Sequence, residues 1–131
     1  MSAVADTRFL LTFRFPPTPT VSREISSLLQ TELSHGMIIP SIVLTEYLKA
    51  AGGRIGFEAA LTDLNDLHTR GAEIVDIDRE VAVEAGQLLL SFPRIPVADA
   101  LIGATSNIRR AGYILTDDPH FRLMKMKTRW V

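Results

Sequence analysis

Five acidic residues stand at the borders of apolar runs, where acids are uncommon. Asp6 follows "AVA", Glu46 lies inside "SIVLTEYL", Asp99 opens "VADALIGATS", and Asp117 and Asp118 follow "YILT". Holding a carboxylate beside apolar groups costs free energy, and clustered carboxylates raise one another's pKa unless a cation shares them. Grouped oxygen donors suit Mg²⁺ or Mn²⁺, hard ions that keep several waters and bridge to phosphate. The chemistry open to such a centre is metal-assisted phosphodiester hydrolysis, in which the ion lowers the pKa of a water and offsets charge in the transition state. Taken singly, each acid has a plainer role. Asp6 suits a turn, Asp99 a helix start, and Asp117-Asp118 a turn before Pro119. Glu46 suits a solvated helix position, although Val43, Leu44, Tyr47 and Leu48 leave it little polar surrounding. It is the joint pattern that points to chemistry.

Other chemistries lack their residues. There are no cysteines, which removes disulfides, zinc-thiolate sites and thiol nucleophiles and fits a reducing compartment. His35, His68 and His120 form no HxxxH or HxH pair, so a histidine-rich metal site is not expected. His120, beside Pro119, is expected to be a surface turn residue. No G-x-S-x-G elbow or Walker loop occurs, and "GGRIG" follows a helix instead of a strand. Trp130 reads as a core or dimer contact more readily than as a base-stacking platform.

The chain has 131 residues with 47% apolar and 22% charged side chains. That is one domain with one core, residues 1–131, of ordinary globular composition. No apolar run reaches the roughly 18–20 residues of a membrane span. The start has no basic n-region followed by a cleavage site. No membrane partner and a cytoplasmic location are therefore expected. Net charge is −1, but residues 109–131 carry six basic side chains, Arg109, Arg110, Arg122, Lys125, Lys127 and Arg129, against two acids. Such a stretch can steer a phosphate backbone. A charge run alone is more often a solvated surface.

The elements must bring these acids together. A strand ends near Asp6 and leads into a short helical segment. "FPPTPTVS" reads as a loop. Ser22 is expected to cap a helix over 23–35 that Gly36 ends. "MIIP" is a strand, and Ser41 is expected to cap a helix through Ala51 that Gly52-Gly53 stops. A further helix covers 56–69. "AEIVDID" is a strand, and Asp78 caps a helix over 79–91. "FPRIP" is a second proline loop. A helix over 97–110 is stopped by Gly112, "YILT" is a strand, "DDPHF" a turn, and "TRWV" a last short strand. Short apolar strands separated by helices imply an α/β fold with a parallel sheet covered on both faces. In such sheets ligands bind at the carboxyl ends of the strands. All five acids map to that edge.

The segments "ADTRFL", "SIVLTEYL", "VADALIGATS" and "ILTDDPHF", spread over residues 3–121, resemble the motifs of the PIN domain, the metal-dependent ribonuclease fold that includes VapC-type toxins. The last two are the most specific in order and separation. The resemblance implies a three-layer α/β/α sandwich with a central, mainly parallel sheet. It implies an endoribonuclease in which Asp6, Glu46, Asp99 and Asp118 are the catalytic acids and hold Mg²⁺ or Mn²⁺. Thr7 and Thr116 are auxiliary hydroxyls. Asp117 is the variable position of the "T-x-D-x-x-F" turn, an outer or alternative ligand that should tolerate substitution best. Arg8 stands where many relatives have Asn. It is expected to bind substrate phosphate, with orientation of Asp6 as the other reading. The proline-rich loop 16–19 departs from the family pattern beside the expected cleft. Implied partners are single-stranded or structured RNA, a VapB-like antitoxin and a second copy of the chain, docked through the helices at 23–35 and 41–51. The alternative is a non-catalytic PIN-fold module that binds RNA or protein.

Overall fold

Val4 and Ala5 are sealed from solvent on both sides, as expected of a strand at the centre of a parallel sheet. They form β1 in a computed structural model that describes residues 2–131. The chain continues through α1 (Thr7–Arg14), α2 (Pro19–Ser34), β2 (Ile38–Pro40), α3 (Ser41–Ile55) and α4 (Phe57–Thr69). It then forms β3 (Glu73–Val75), α5 (Arg79–Ser91), α6 (Val97–Arg109), β4 (Ile114–Leu115), α7 (Pro119–Leu123) and β5 (Thr128–Arg129). The sheet order is β3-β2-β1-β4-β5. Every pairing is parallel, with Val4 opposite both Ile38 and Ile114, Ile39 opposite Ile74, and Ile114 opposite Thr128. The sheet grows in both directions from β1. The helices that connect the strands cover the sheet on both faces, which makes three layers. Phe9, Leu10, Tyr47, Ile102 and Phe121 pack against the strands and are almost wholly inaccessible. Trp130 is a core contact, edge-on to Phe9 with ring centroids 6.1 Å apart.

This topology fixes where a ligand would sit. β1 and β4 are neighbours, but the chain leaves them toward opposite edges of the sheet. That is a topological switch point, and the crevice lies beyond the carboxyl ends of the two strands. Asp6 follows β1 directly and Thr116 follows β4 directly.

Several helix boundaries differ from the sequence reading. Thr18, not Ser22, caps α2, accepting a hydrogen bond from the Val21 N–H at 3.1 Å, and Pro19 is the first helical residue. Proline suits that position because its missing N–H has no intrahelical partner there and its φ is already helical. The proline loop is accordingly shorter than expected. Ser41 does not cap α3. Pro40 holds that position without a side-chain bond, and the Ser41 hydroxyl accepts from the Ile77 N–H at 3.1 Å, tying α3 to the segment after β3. Gly52 and Gly53 do not stop α3. The break falls at Gly56, whose φ of +91° suits glycine. α6 ends where Arg110 adopts the left-handed conformation at φ 54°, two residues before Gly112. The "DDPHF" turn is the start of α7, capped by Asp118 with Pro119 first in the helix. The expected Asp78 cap is present, accepting from the Val81 N–H at 2.9 Å. Among the described residues, no helix is long and apolar enough to cross a membrane.

Candidate active site

Asp6 is the N-cap of α1, and its two carboxylate oxygens are fixed from two sides. Oδ1 accepts the Thr7 N–H at 2.7 Å, and Oδ2 accepts the Thr116 hydroxyl at 2.7 Å. The Thr116 oxygen also accepts the Asp118 N–H at 3.0 Å. One hydroxyl thus joins the end of β1 to the start of α7. The Thr7 hydroxyl donates to Glu46 Oε1 at 2.6 Å, which orients the acid in the second turn of α3. The auxiliary hydroxyls therefore hold the acids in place, with Thr7 divided between Asp6 through its backbone and Glu46 through its side chain.

Asp99 lies in the first turn of α6, and Asp118 begins α7. Asp6, Glu46, Asp99 and Asp118 line one cleft of about 570 Å³, with Thr7, Arg8 and Lys49 on its walls. The crowding is visible in the titration behaviour. Burial pushes the Asp6 carboxyl up to about 6, and the nearby Asp99 and Glu46 charges add to the rise against the opposing bonds from Thr116 and Thr7. Asp99 is also raised, first by burial and then by the Asp118 charge, while His120 opposes the shift. Burial is the larger cause for both acids, and the neighbouring carboxylates add to it.

His120 is the principal correction to the sequence reading. It lies in the first turn of α7 and its ring is partly exposed, but it is held against two acids. Its Nδ1 lies 2.9 Å from Asp99 Oδ2 and 2.9 Å from Asp118 Oδ1. Its backbone N–H also donates to Asp118 Oδ1 at 2.9 Å. The available signal was Asp118-Pro119-His120 read as a helix start, because a cap followed by a first-position proline places His120 beside the capping carboxylate. Lys49 was also overlooked. Its spacing of three from Glu46 puts both on one helical face.

Asp117 is turned to the rim, where it forms a two-point ion pair with Arg8. Nε lies 2.5 Å from Oδ1 and Nη2 3.1 Å from Oδ2. That pairing holds the Asp117 carboxyl below the usual carboxylate range. Arg8 makes no hydrogen bond to Asp6. The pair is largely exposed, and exposed pairs contribute little. Asp117→Asn is therefore expected to change urea-unfolding stability by less than about 1 kcal/mol.

The donor set fits a divalent cation. Among the described residues, Asp99, Asp118 and His120 each offer a ligand atom, all within 4.8 Å of one another. Asp6 and Glu46 border the same cleft beside that trio. A cation would offset the cost of ionising Asp6 and Asp99, which comes first from burial and then from the neighbouring carboxylates.

No curated protein matches this chain. Solved structures share its fold. Mycobacterium tuberculosis VapC20, described as a sarcin-ricin loop cleaving toxin, aligns with a TM-score of 0.78 at 14% identity, over 95% of this chain and 96% of the other. A chain of Rickettsia felis VapBC2, solved bound to a DNA fragment from its promoter, aligns at 0.75 with 18% identity over 99% and 98%. A chain of the DNA-bound VapBC from Salmonella typhimurium aligns at 0.74 with 21% identity over 99% and 98%. The PIN domain family model matches residues 3–126, nearly the whole length. With that match, and with its acids gathered at the sheet's switch point, the chain belongs to the PIN domain family.

Proposed function

We propose that the protein is a divalent-metal-dependent endoribonuclease acting as the toxin of a VapBC-type pair. The observation that carries this reading is the convergence of Asp6, Glu46, Asp99 and Asp118 on one cleft at the switch point, with Asp6 and Asp99 both raised. Bound Mg²⁺ or Mn²⁺ supplies Lewis acidity toward the scissile phosphate and a nucleophilic water at neutral pH. Asp99 and Asp118 would hold the ion, with Asp6 and Glu46 completing the acidic wall. Thr116 and Thr7 keep those carboxylates in register. Lys49 meets a flanking phosphate as a point charge, and Arg8, its fork held by Asp117, does so through the remaining guanidinium edge. The products are a 3′-hydroxyl and a 5′-phosphate.

Known VapBC complexes with this fold support an antitoxin as partner, one whose basic side chain would enter the acidic cleft. A homodimer through α2 and α3, a cytoplasmic location and single-stranded or structured RNA as substrate complete the proposal. The test is incubation of the protein with end-labelled single-stranded RNA in Mn²⁺, in Mg²⁺ and in EDTA. Cleavage is expected with a divalent ion and none in EDTA. Tight binding without cleavage under either ion would replace the nuclease with a non-catalytic RNA-binding module.

A further inference from the structure

We propose that His120 is a nitrogen ligand of the metal and makes this site select Mn²⁺ over Mg²⁺; the proposal rests on the metal-nuclease reading above. The four acids alone make an all-oxygen wall, which suits Mg²⁺. The compact donor set in this chain is different. It comprises one oxygen from Asp99 on α6, one from Asp118 at the start of α7, and one imidazole nitrogen from His120.

The placement of the ring has local causes. Pro119 fixes the first turn of α7, and Asp118 Oδ1 accepts the His120 backbone N–H at 2.9 Å. These constraints hold Nδ1 against two carboxylates from different helices, 2.9 Å from each. The ring therefore lies where the negative potential of two acids converges, which is where a cation would bind. One ring nitrogen thus faces both acids, within hydrogen-bond distance of Asp99 Oδ2.

Imidazole favours first-row transition ions, whereas Mg²⁺ prefers oxygen and dehydrates reluctantly. A mixed set of two carboxylates and one imidazole therefore separates the two ions where a carboxylate set would not. The opposing possibility is that His120 only hydrogen-bonds the acids and never touches the ion.

The full-length protein loaded with Mn²⁺ distinguishes these cases by pulsed electron paramagnetic resonance. A directly bound ¹⁴N coupling is expected in the wild type. It should change to the ¹⁵N pattern when histidine is ¹⁵N-labelled and vanish in His120→Asn. Competition by Mg²⁺, read from the signal of released Mn²⁺, supplies a second readout. The wild type should require at least ~10-fold more Mg²⁺ for half-displacement than His120→Asn, the lower end of what even an indirect partner of a metal ligand contributes. His120→Asp restores a third donor as oxygen and should move the preference toward Mg²⁺ further than His120→Asn does. His120 is a partly exposed residue, and thermal unfolding of both variants checks that they are folded. Mn²⁺ binding without nitrogen coupling, or an unchanged competition ratio in both variants, overturns the His120 assignment and leaves the metal-nuclease reading standing. Absence of binding by either ion to the wild type overturns both.

Discussion

Asp99→Asn is expected to lower kcat/KM for RNA cleavage by about 10³-fold or more, because a misassembled metal centre forfeits several kcal/mol of transition-state stabilisation. The substitution keeps the shape of the side chain and removes the charge. It also places an amide beside His120 and Asp118, the two groups whose hydrogen bond and charge act most on Asp99. The fold should survive. The wild-type carboxyl is raised by burial and by Asp118, so neutralising it removes a repulsion. Two measurements on the same preparation check this: RNA cleavage with saturating Mn²⁺, and thermal unfolding in EDTA. Cleavage within tenfold of wild type in a correctly folded variant would remove Asp99 from the reaction.

Asp6→Asn should stabilise the metal-free protein at neutral pH. The Asp6 carboxyl has a folded-state value of about 6 against 3.8 in the unfolded chain. The native state therefore holds a proton that the unfolded state has lost, and stability falls as pH rises from about 4 to about 6. Above that window the full cost applies, on the order of 3 kcal/mol from roughly two pKa units. Asparagine never ionises. Its carbonyl can accept the Thr7 N–H, and its amide can donate to the Thr116 oxygen. Part of the gain is lost to weaker hydrogen bonds, leaving about 1–3 kcal/mol at pH 7.5. At pH 4 and below the gain should disappear. Divalent metal should narrow or reverse the difference, because a ligand at a hundred times its dissociation constant stabilises the folded wild type by about 2.7 kcal/mol. Urea unfolding at pH 7.5 and 4.0, in EDTA and in Mn²⁺, measures all four quantities. An equal loss of stability at both pH values in EDTA would show that Asp6 is simply structural.

The parts of the fold that were legible in the sequence are those governed by local chemistry. Apolar runs of strand length gave β1, β2 and β4 their places, and the Asp78 cap set the start of α5. The edge holding the acids followed from parallel topology. The errors arose where two local signals competed. Thr18-Pro19 and Ser22 both offer helix starts, and the proline prevailed because it is pre-set for the first turn. Gly52-Gly53 reads as a stop, yet tertiary packing carries α3 on to Ile55. His120 was misplaced because a five-residue helix was read as a turn.

Glu32 shows what local reading cannot reach. It is fully buried in α2, its Oε1 accepts from the Tyr113 hydroxyl and from Arg129 Nη1, and its Oε2 has no hydrogen-bond partner among the described residues. Those partners lie 81 and 97 positions away along the chain. Nothing around "TELSHG" announces them.

The chemical ends of the RNA products test the central claim most directly. With Mn²⁺ and wild-type protein, every cut should leave a 3′-hydroxyl and a 5′-phosphate, since water is the nucleophile and the ion activates it. Products ending in a 2′,3′-cyclic phosphate, or cleavage that persists in EDTA, would contradict the account, because both require the RNA to be cut without the metal-activated water.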